Sequence, residues 1–260
     1  MDILFNAKDV LEKLKKYEDS TFHIIVTKIP SYIFQNELFE IFEELRRVMR
    51  PEATIWFEMD DLYNFPDWSL VGHPWKTVLK LQEKGWVLRN DIILRQESPL
   101  EETKKTDYSL FFIENGMDRG PVRNHKYLFL MSKIGKGYYC DGFALREGMK
   151  ELENSGSIWN EIDYEYLAIL SASVGCCDEC GAPYKRDVKT SHWNPSCACK
   201  VKFSPIRVLD PFYIPNNKTH PAINLGCSFE YIEGIEVDWQ DESLLEEIST
   251  DEKGGDIEQL

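Results

Sequence analysis

The chain has 260 residues, 43% of them hydrophobic, and a formal net charge of −15. This length and composition predict one large α/β domain with a full core. Apolar runs stay well short of the ~20 residues that span a bilayer, and the start Met1-Asp2-Ile3 has no basic leader, so a membrane or exported protein is not expected. The chain has seven cysteines, and four of them are clustered, which favours a metal site over disulfides. Free cysteines of this kind also indicate a reducing, cytoplasmic location.

The first part of the chain alternates predicted helices and strands. An amphipathic helix is expected over 9–17 and a strand over 22–27. A second helix is expected over about 36–49, with Asn36 as its N-cap and Pro51 just beyond its end. The apolar stripe of this second helix consists of Leu38, Ile41, Phe42, Leu45 and Val48.

The alternation continues through the middle of the chain. Pro74 is predicted to open a helix that ends at Gly85. Further strands are expected at 54–59, 86–94, 109–113, 127–132 and 208–212. The segment 97–124 is polar. Repeated alternation of this kind indicates an α/β sheet.

Several motifs carry a resemblance to a known family. In chain order they are the strand His23–Thr27 with Lys28-Ile29-Pro30-Ser31 after it, Leu45–Pro51 leading into Thr54–Phe57, Gly85–Leu88, His125–Lys133, Asp210-Pro211-Phe212, and Leu225–Glu236. In order and spacing they resemble the N6-adenine/N4-cytosine DNA methyltransferases, in the group whose catalytic motif precedes the cofactor motif. The resemblance covers roughly residues 2 to 238.

The resemblance implies a particular fold and a domain organisation. The fold class is α/β, a methyltransferase-type (Rossmann-like) open twisted sheet with helices on both faces, plus a small zinc-knuckle insert. We expect a methyltransferase-like domain over 1–238, in which 97–124 is a short recognition-like segment and 175–202 is the cysteine-rich insert. Residues 239–260 are expected to form an acidic, partly disordered tail.

The catalytic motif departs from the family pattern. The family has Asp, Ser or Asn, then Pro-Pro and an aromatic residue, whereas this chain has Lys28, Ile29, Pro30 and Ser31. In the family the first side chain accepts a hydrogen bond from the target amine, but lysine offers three donors and no acceptor. A cation beside a nitrogen that gains positive charge is also unfavourable. We therefore expect no catalytic residues here, unless Lys28 points away and another side chain supplies the acceptor.

The cofactor motif also departs from the pattern. The family reads Asp-Pro-Phe-x-Gly-Ser-Gly-Thr-Thr, whereas residues 213–219 contain no glycine and include Ile214 and Pro215. Glycines allow the close approach of backbone to ligand, so we expect that S-adenosylmethionine is not bound. By resemblance, the residues left from a cofactor pocket are Asp9, Asp210, Phe212 and Glu236. Taken singly, each of the three carboxylates is more often a cap or strand-end group, and it is their joint placement that indicates the remains of a pocket.

The cysteine cluster predicts a structural zinc site. Cys177-x2-Cys180-Gly181 is followed by Cys197-x-Cys199, and two close pairs can complete a tetrahedral site with no open position. Cys176 is an alternative first ligand and His192 an outside candidate. A metal-free knuckle remains the other interpretation.

Acidic residues are concentrated at the end of the chain. Residues 228–260 hold twelve acids against Lys253 alone, which accounts for −11 of the net −15. DNA affinity depends on basic residues that neutralise phosphates. The acidic net charge therefore leaves open whether the protein binds DNA.

From these departures the sequence favours a catalytically inactive protein. It would be a non-catalytic subunit or regulator that binds an active methyltransferase or another DNA-processing protein, or pairs with itself, with DNA a further possible partner and no membrane. Two alternatives stay open. One is an active but divergent S-adenosylmethionine-dependent DNA methyltransferase, and the other is an acidic inhibitor of a DNA-binding or defence protein.

Overall fold

The computed structural model describes residues 2–33, 35–63, 69–95, 125–152, 156–160, 164–187, 189–200, 203–215 and 219–237. The expected segment 97–124, with its strand at 109–113, and the expected tail 239–260 lie outside these residues.

The described strands and helices alternate for most of the chain. The strands are β1 (Asp2–Leu4), β2 (Phe22–Lys28), β3 (Met49–Met59), β4 (Val87–Arg95), β5 (His125–Ser132), β6 (Ile158–Asn160), β7 (Cys176–Cys177), β8 (Tyr184–Arg186), β9 (Trp193–Pro195), β10 (Phe203–Ser204), β11 (Arg207–Tyr213), β12 (Ser228–Glu233) and β13 (Ile235–Val237). The helices are α1 (Ala7–Leu14), α2 (Gln35–Val48), α3 (His73–Glu83), α4 (Gly142–Glu151), α5 (Tyr164–Leu170) and α6 (Pro221–Asn224).

Seven strands form the central sheet, in the order β12-β11-β2-β3-β5-β4-β6. Neighbouring strands are parallel except for β5, which runs antiparallel to both β3 and β4. Three two-stranded sheets accompany it: β1 pairs with β13, β7 with β10, and β8 with β9. The parallel strands β2, β3 and β11 therefore end on the same side of the molecule, and this side positions the candidate site.

Two apolar cores lie on opposite faces of the sheet. Because side chains alternate along a strand, Ile25 joins one core while Ile24 and Val26 join the other. The first core is completed by α1, α2 and α3, and the second by α4, α5 and α6. The expected sheet with helices on both faces is confirmed.

Local sequence accounts for the ends of α2 and α3. The predicted stripe of α2 is fully buried, but the helix begins at Gln35, so Asn36 lies inside it rather than at its N-cap. At the other end, the Lys133 ammonium donates to the carbonyls of Arg46 in α2 and Met49 just after it. Helix α3 ends as predicted, because Gly85 adopts a φ of 86° that favours glycine.

None of the helices in the described part of the chain is long and apolar enough to cross a membrane.

A matched pair of leucines tests which face of the helices forms the core. Leu45 in α2 is fully buried, whereas Leu79 in α3 is 56% exposed. Leu45→Ala should lower the free energy of unfolding by about 2–5 kcal/mol through lost burial and a cavity, and Leu79→Ala should change it by less than about 0.5 kcal/mol. Urea unfolding measures both, and equal effects would contradict the described core.

Candidate active site and cysteine cluster

Three strands bring candidate site residues to one edge of the sheet. Strands β2, β3 and β11 end at Lys28, Met59 and Tyr213, and we call this side the carboxyl edge. In open α/β sheets, ligands bind outside the carboxyl ends of the parallel strands. The residues near this edge therefore form the candidate active site.

Asp210 holds the turn that follows β11. Its carboxyl group is buried, accepts a hydrogen bond from Thr27 Oγ1 at 2.5 Å, and accepts another from the Phe212 amide at 3.0 Å. Burial raises the pKa of this carboxyl group to about 7. Hydrogen bonds therefore hold the Asp-Pro-Phe turn in place, although this chain lacks the glycines that follow the motif in the family.

The other cofactor candidates gather around the same turn. Phe212 is buried and packs edge-on against Phe5, which connects β1 to α1, with ring centroids 5.4 Å apart. Asp9 is exposed in the first turn of α1, and Glu236 pairs with Ile3 in the β1–β13 ladder. Pairing and packing therefore bring the segments that carry all four predicted cofactor residues to one region.

The two bulky residues of the turn do not fill a buried space. Ile214 is 47% exposed, and Pro215 is also exposed. Their side chains therefore do not plug an interior pocket, although the turn still lacks the glycines that allow a close approach of backbone to ligand.

The predicted catalytic motif forms a compact turn beyond β2. The Ile29 amide donates to the Glu58 carbonyl at 2.9 Å, and the Ile33 amide donates to the Pro30 carbonyl at 3.3 Å. Ile29 is buried, whereas Pro30 and Ser31 are partly exposed. The motif is well anchored although its residue types depart from the family.

Lys28 contacts a carboxylate that the sequence analysis missed. Its Nζ lies 3.2 Å from Glu58 Oε1, and Lys126 Nζ approaches the same oxygen at 3.1 Å. Glu58 and Lys126 are buried. The sequence contains a signal for Glu58 and for Lys126, because each is a charged residue inside a largely apolar strand.

Glu165 and His220 form a second missed pair close to this edge. Glu165 Oε2 lies 3.7 Å from His220 Nε2, and burial raises the pKa of Glu165. His220 Nδ1 accepts from the Ala222 amide at the start of α6, and burial lowers the pKa of His220 to about 4. His220 is therefore uncharged near neutral pH, and its Nδ1 accepts a hydrogen bond from the backbone at the N-terminus of α6.

The four predicted zinc ligands lie together. The sulfurs of Cys177, Cys180, Cys197 and Cys199 are all within 4.8 Å of one another. The alternative ligand Cys176 is not in this group, because its sulfur donates to the Pro205 carbonyl at 3.3 Å. His192, the outside candidate, is exposed and is not in the group either.

The cysteine insert is clamped to the opposite edge of the sheet from the candidate active site. His23, at the start of β2, accepts from the Arg207 amide at 3.1 Å through Nδ1, so its Nε2 carries the proton and donates to the Gly181 carbonyl at 2.8 Å. Arg50 Nη1 donates to the Cys180 carbonyl at 3.3 Å. His23 and Lys28 are five residues apart on one strand, which separates the insert from the carboxyl edge by about 17 Å.

A third contact ties the insert to a helix. Asp141 Oδ1 caps α4 by accepting from the amides of Phe143 and Ala144, while Oδ2 lies 2.8 Å from Arg186 Nε in β8. The insert is therefore a fixed part of the domain, and its sulfurs are too far from the carboxyl edge to take part in chemistry there.

The sheet order and the site at its carboxyl edge define a methyltransferase-like α/β protein. A candidate DNA modification methylase from Thermus thermophilus superposes with a TM-score of 0.53 over 95% of this chain and 94% of its own, at 14% identity. A structure of the same protein complexed with S-adenosyl-L-methionine gives a TM-score of 0.51. At this identity the likeness shows the fold.

The family follows from the sequence match. The model for the N6/N4 DNA methylase family matches residues 31–222, and the chain belongs to this N6-adenine/N4-cytosine DNA methyltransferase family. The type II methyltransferase M.Cfr9I of Citrobacter freundii is 30% identical over 156 residues, which are 49% of this chain and 47% of that protein. M.SmaI of Serratia marcescens is 27% identical over 155 residues, 48% of each chain. The chain thus matches about half the length of these relatives.

Two expectations drawn from the altered motifs are wrong. A non-catalytic subunit or regulator is contradicted by the family and by relatives that are named as type II methyltransferases. The expectation that S-adenosylmethionine is not bound is contradicted by the same family and by the complexed structure of the same fold. Both expectations treated Lys28 and the turn at 213–219 in isolation, without Glu58 and without the exposure of Ile214.

The raised pKa of Asp210 predicts how stability depends on pH. A carboxyl group whose folded pKa lies above its ordinary value stabilises the fold fully below about pH 3.8, and this contribution is lost as pH rises through about 7. Asp210→Asn removes the ionisation but keeps an oxygen for Thr27 and Phe212. The variant should therefore gain stability relative to the parent between pH 5 and pH 8, on the order of a few kcal/mol.

Urea unfolding of both proteins at the two pH values measures this difference, in which the other titrating groups largely cancel. Parallel pH profiles would show that Asp210 ionises as easily in the folded chain as in the unfolded chain.

Proposed function

We propose that this protein is an S-adenosylmethionine-dependent DNA methyltransferase that modifies an exocyclic amine, N6 of adenine or N4 of cytosine. The observation that carries the proposal is the preserved Asp210 turn at the carboxyl edge, in a chain of the DNA methylase family. Named type II methyltransferases among the relatives support the same reaction class.

The residues present suit the cofactor. Carboxylates are hydrogen-bond acceptors, and by resemblance Glu236 would accept from the ribose hydroxyls while Asp9 would lie near the adenine end. Asp210 and Phe212 would shape the turn beneath the cofactor, and the Ile214 side chain is exposed and does not pack into the interior. S-adenosylmethionine, when bound, supplies an activated methyl group.

DNA is the substrate class that this proposal requires. Outside residues 228–260 the net charge is only about −4, since the terminal region carries −11 of the −15. The predicted recognition-like segment 97–124 joins β4 to β5, and Arg95 and His125 pair with each other. A protein partner remains a separate prediction.

A direct assay tests the proposed activity. The purified chain should bind S-adenosylmethionine with a Kd of about 100 μM or tighter, close to −5.5 kcal/mol, and should transfer a tritiated methyl group to unmethylated bacterial genomic DNA. Digestion to nucleosides should place the label on N6-methyladenine or N4-methylcytosine. The absence of both binding at millimolar ligand and methyl transfer would contradict the proposal.

We also propose that Cys177, Cys180, Cys197 and Cys199 hold one structural zinc ion. Tetrahedral zinc with sulfur at about 2.3 Å places the sulfurs about 3.8 Å apart, which is compatible with the observed clustering within 4.8 Å. The backbone amides of Cys180 and Glu179 lower the pKa of Cys177 to about 7, whereas the neighbouring thiols raise the pKa of Cys199. The clustering of the four sulfurs therefore carries this proposal.

Elemental analysis after purification without added metal should find one zinc per chain. Cys177→Ser with Cys180→Ser should release it, and proteolysis should then cut within 175–202 while the central sheet stays folded. Cys176→Ser is the matched control, because this neighbouring thiol lies outside the sulfur group, and it should retain the metal. Zinc retention in the double variant would place the ion elsewhere.

A further inference from the structure

A buried acid lies beside the altered catalytic motif. Glu58 is the second-last residue of β3 and pairs in register with Lys28, the last residue of β2. Its side chain is only 2% exposed, although both neighbours on the strand, Phe57 and Met59, are apolar core residues. A carboxylate at such a position is costly unless it has partners or a function.

Two lysines contact Glu58, and they differ in their surroundings. Lys126 is 9% exposed and lies 3.1 Å from Glu58 Oε1, so it is a fixed, buried partner. Lys28 is 48% exposed and lies 3.2 Å from the same oxygen. An ion pair with a solvated, flexible partner contributes little. Lys28 can therefore leave while Lys126 continues to offset the burial of the carboxylate.

Two other acids near this edge already have contacts of their own. Asp210 accepts from Thr27 and from the Phe212 amide, and its burial leaves no face for a substrate. Glu165 lies on α5, 3.7 Å from His220 Nε2, and the charges of Glu58 and Lys28 also act on it. Among the described residues near the altered motif, Glu58 thus combines an acceptor with a movable partner.

We propose that Glu58 is the catalytic residue that accepts a hydrogen bond from the target amine, in place of the acceptor that is missing at position 28. This inference rests on the proposed function. In the absence of DNA, the Lys28 ammonium occupies the place of the amine, since both are nitrogen donors to the same oxygen. When the target base enters, Lys28 swings toward solvent and the amine takes its position.

The chemistry of the amine fits this assignment. Its nitrogen forms a new bond to the methyl carbon while the bond from that carbon to the sulfonium sulfur breaks, and the sulfur leaves as a neutral thioether. The nitrogen gains positive charge as this happens and must lose one proton to end as a neutral methylated amine. A carboxylate beside it stabilises the developing charge and can take that proton, which passes on to water. A lysine ammonium left in place would oppose both events.

Three single variants separate this role from a structural one. Glu58→Met removes both acceptor oxygens at similar length and should lower kcat by roughly 10²-fold or more, with the Kd for S-adenosylmethionine unchanged. Lys28→Met should leave kcat intact or raise it and should lower the KM for DNA, because the competing ammonium is gone. Glu52→Met, on the same strand at its other end and paired with Arg50, is the matched control and should keep parental values.

Circular dichroism checks that each variant folds. If Glu58→Met unfolds because the Lys126 ammonium loses this ion pair, the double variant Glu58→Met with Lys126→Met replaces it, since the buried ammonium is then removed together with the carboxylate.

The outcomes distinguish this inference from the function on which it rests. If the parent methylates DNA and the Glu58→Met variant is equally active, the role of Glu58 is overturned and the proposed function stands. A strong loss of kcat in Lys28→Met also overturns it, because Lys28 would then be needed in place. A parent that transfers no methyl group overturns both.

Discussion

The hydrogen bonds of one buried carboxyl group determine how the two halves of the carboxyl edge meet. Asp210 accepts from Thr27 on β2 and from the amide of Phe212 in its own turn. It therefore fixes β11 against β2 and also sets the direction in which the chain leaves the sheet. Phe212, directed by that turn, packs on Phe5 and so places β1 and α1 at the same edge. A ligand site on this side depends on that carboxyl group, although the group itself faces inward.

Much of the fold could be predicted because its signals are local. The apolar stripe of α2 has helical spacing, and all five of its residues are buried in the structure. Gly85 ends α3 because of a backbone preference that a single residue carries. The four cysteines of the insert also converge as their spacing indicates, because a knuckle geometry is encoded within a few residues.

The parts that could not be predicted depend on contacts between distant segments. In the sequence, Lys28 is a hydrogen-bond donor at the position where the family has an acceptor. Only the register of β2 against β3 shows that Glu58 lies opposite it. Likewise, a turn without glycine suggests a filled pocket until the exposure of Ile214 is known. Helices α4 and α5 were not predicted, because Gly142 and Gly148 lower the helical signal of α4 and α5 has only seven residues.

The clamp between His23 and Gly181 has a consequence for the order in which the chain folds. β2 and β11 are neighbours at the centre of the sheet, yet His23 and Arg207 are 184 residues apart in sequence. Closing so long a loop is slow, because its entropy is lost before the contacts form. Docking of Gly181 on His23 closes a loop of 158 residues, and this step carries nearly all of the entropic cost, because that cost grows only slowly with loop length. β11 can then pair with β2 across the short segment that remains. The cysteine insert would then guide the last central strand into place, and the ligand-binding edge would be completed only after the opposite edge has formed.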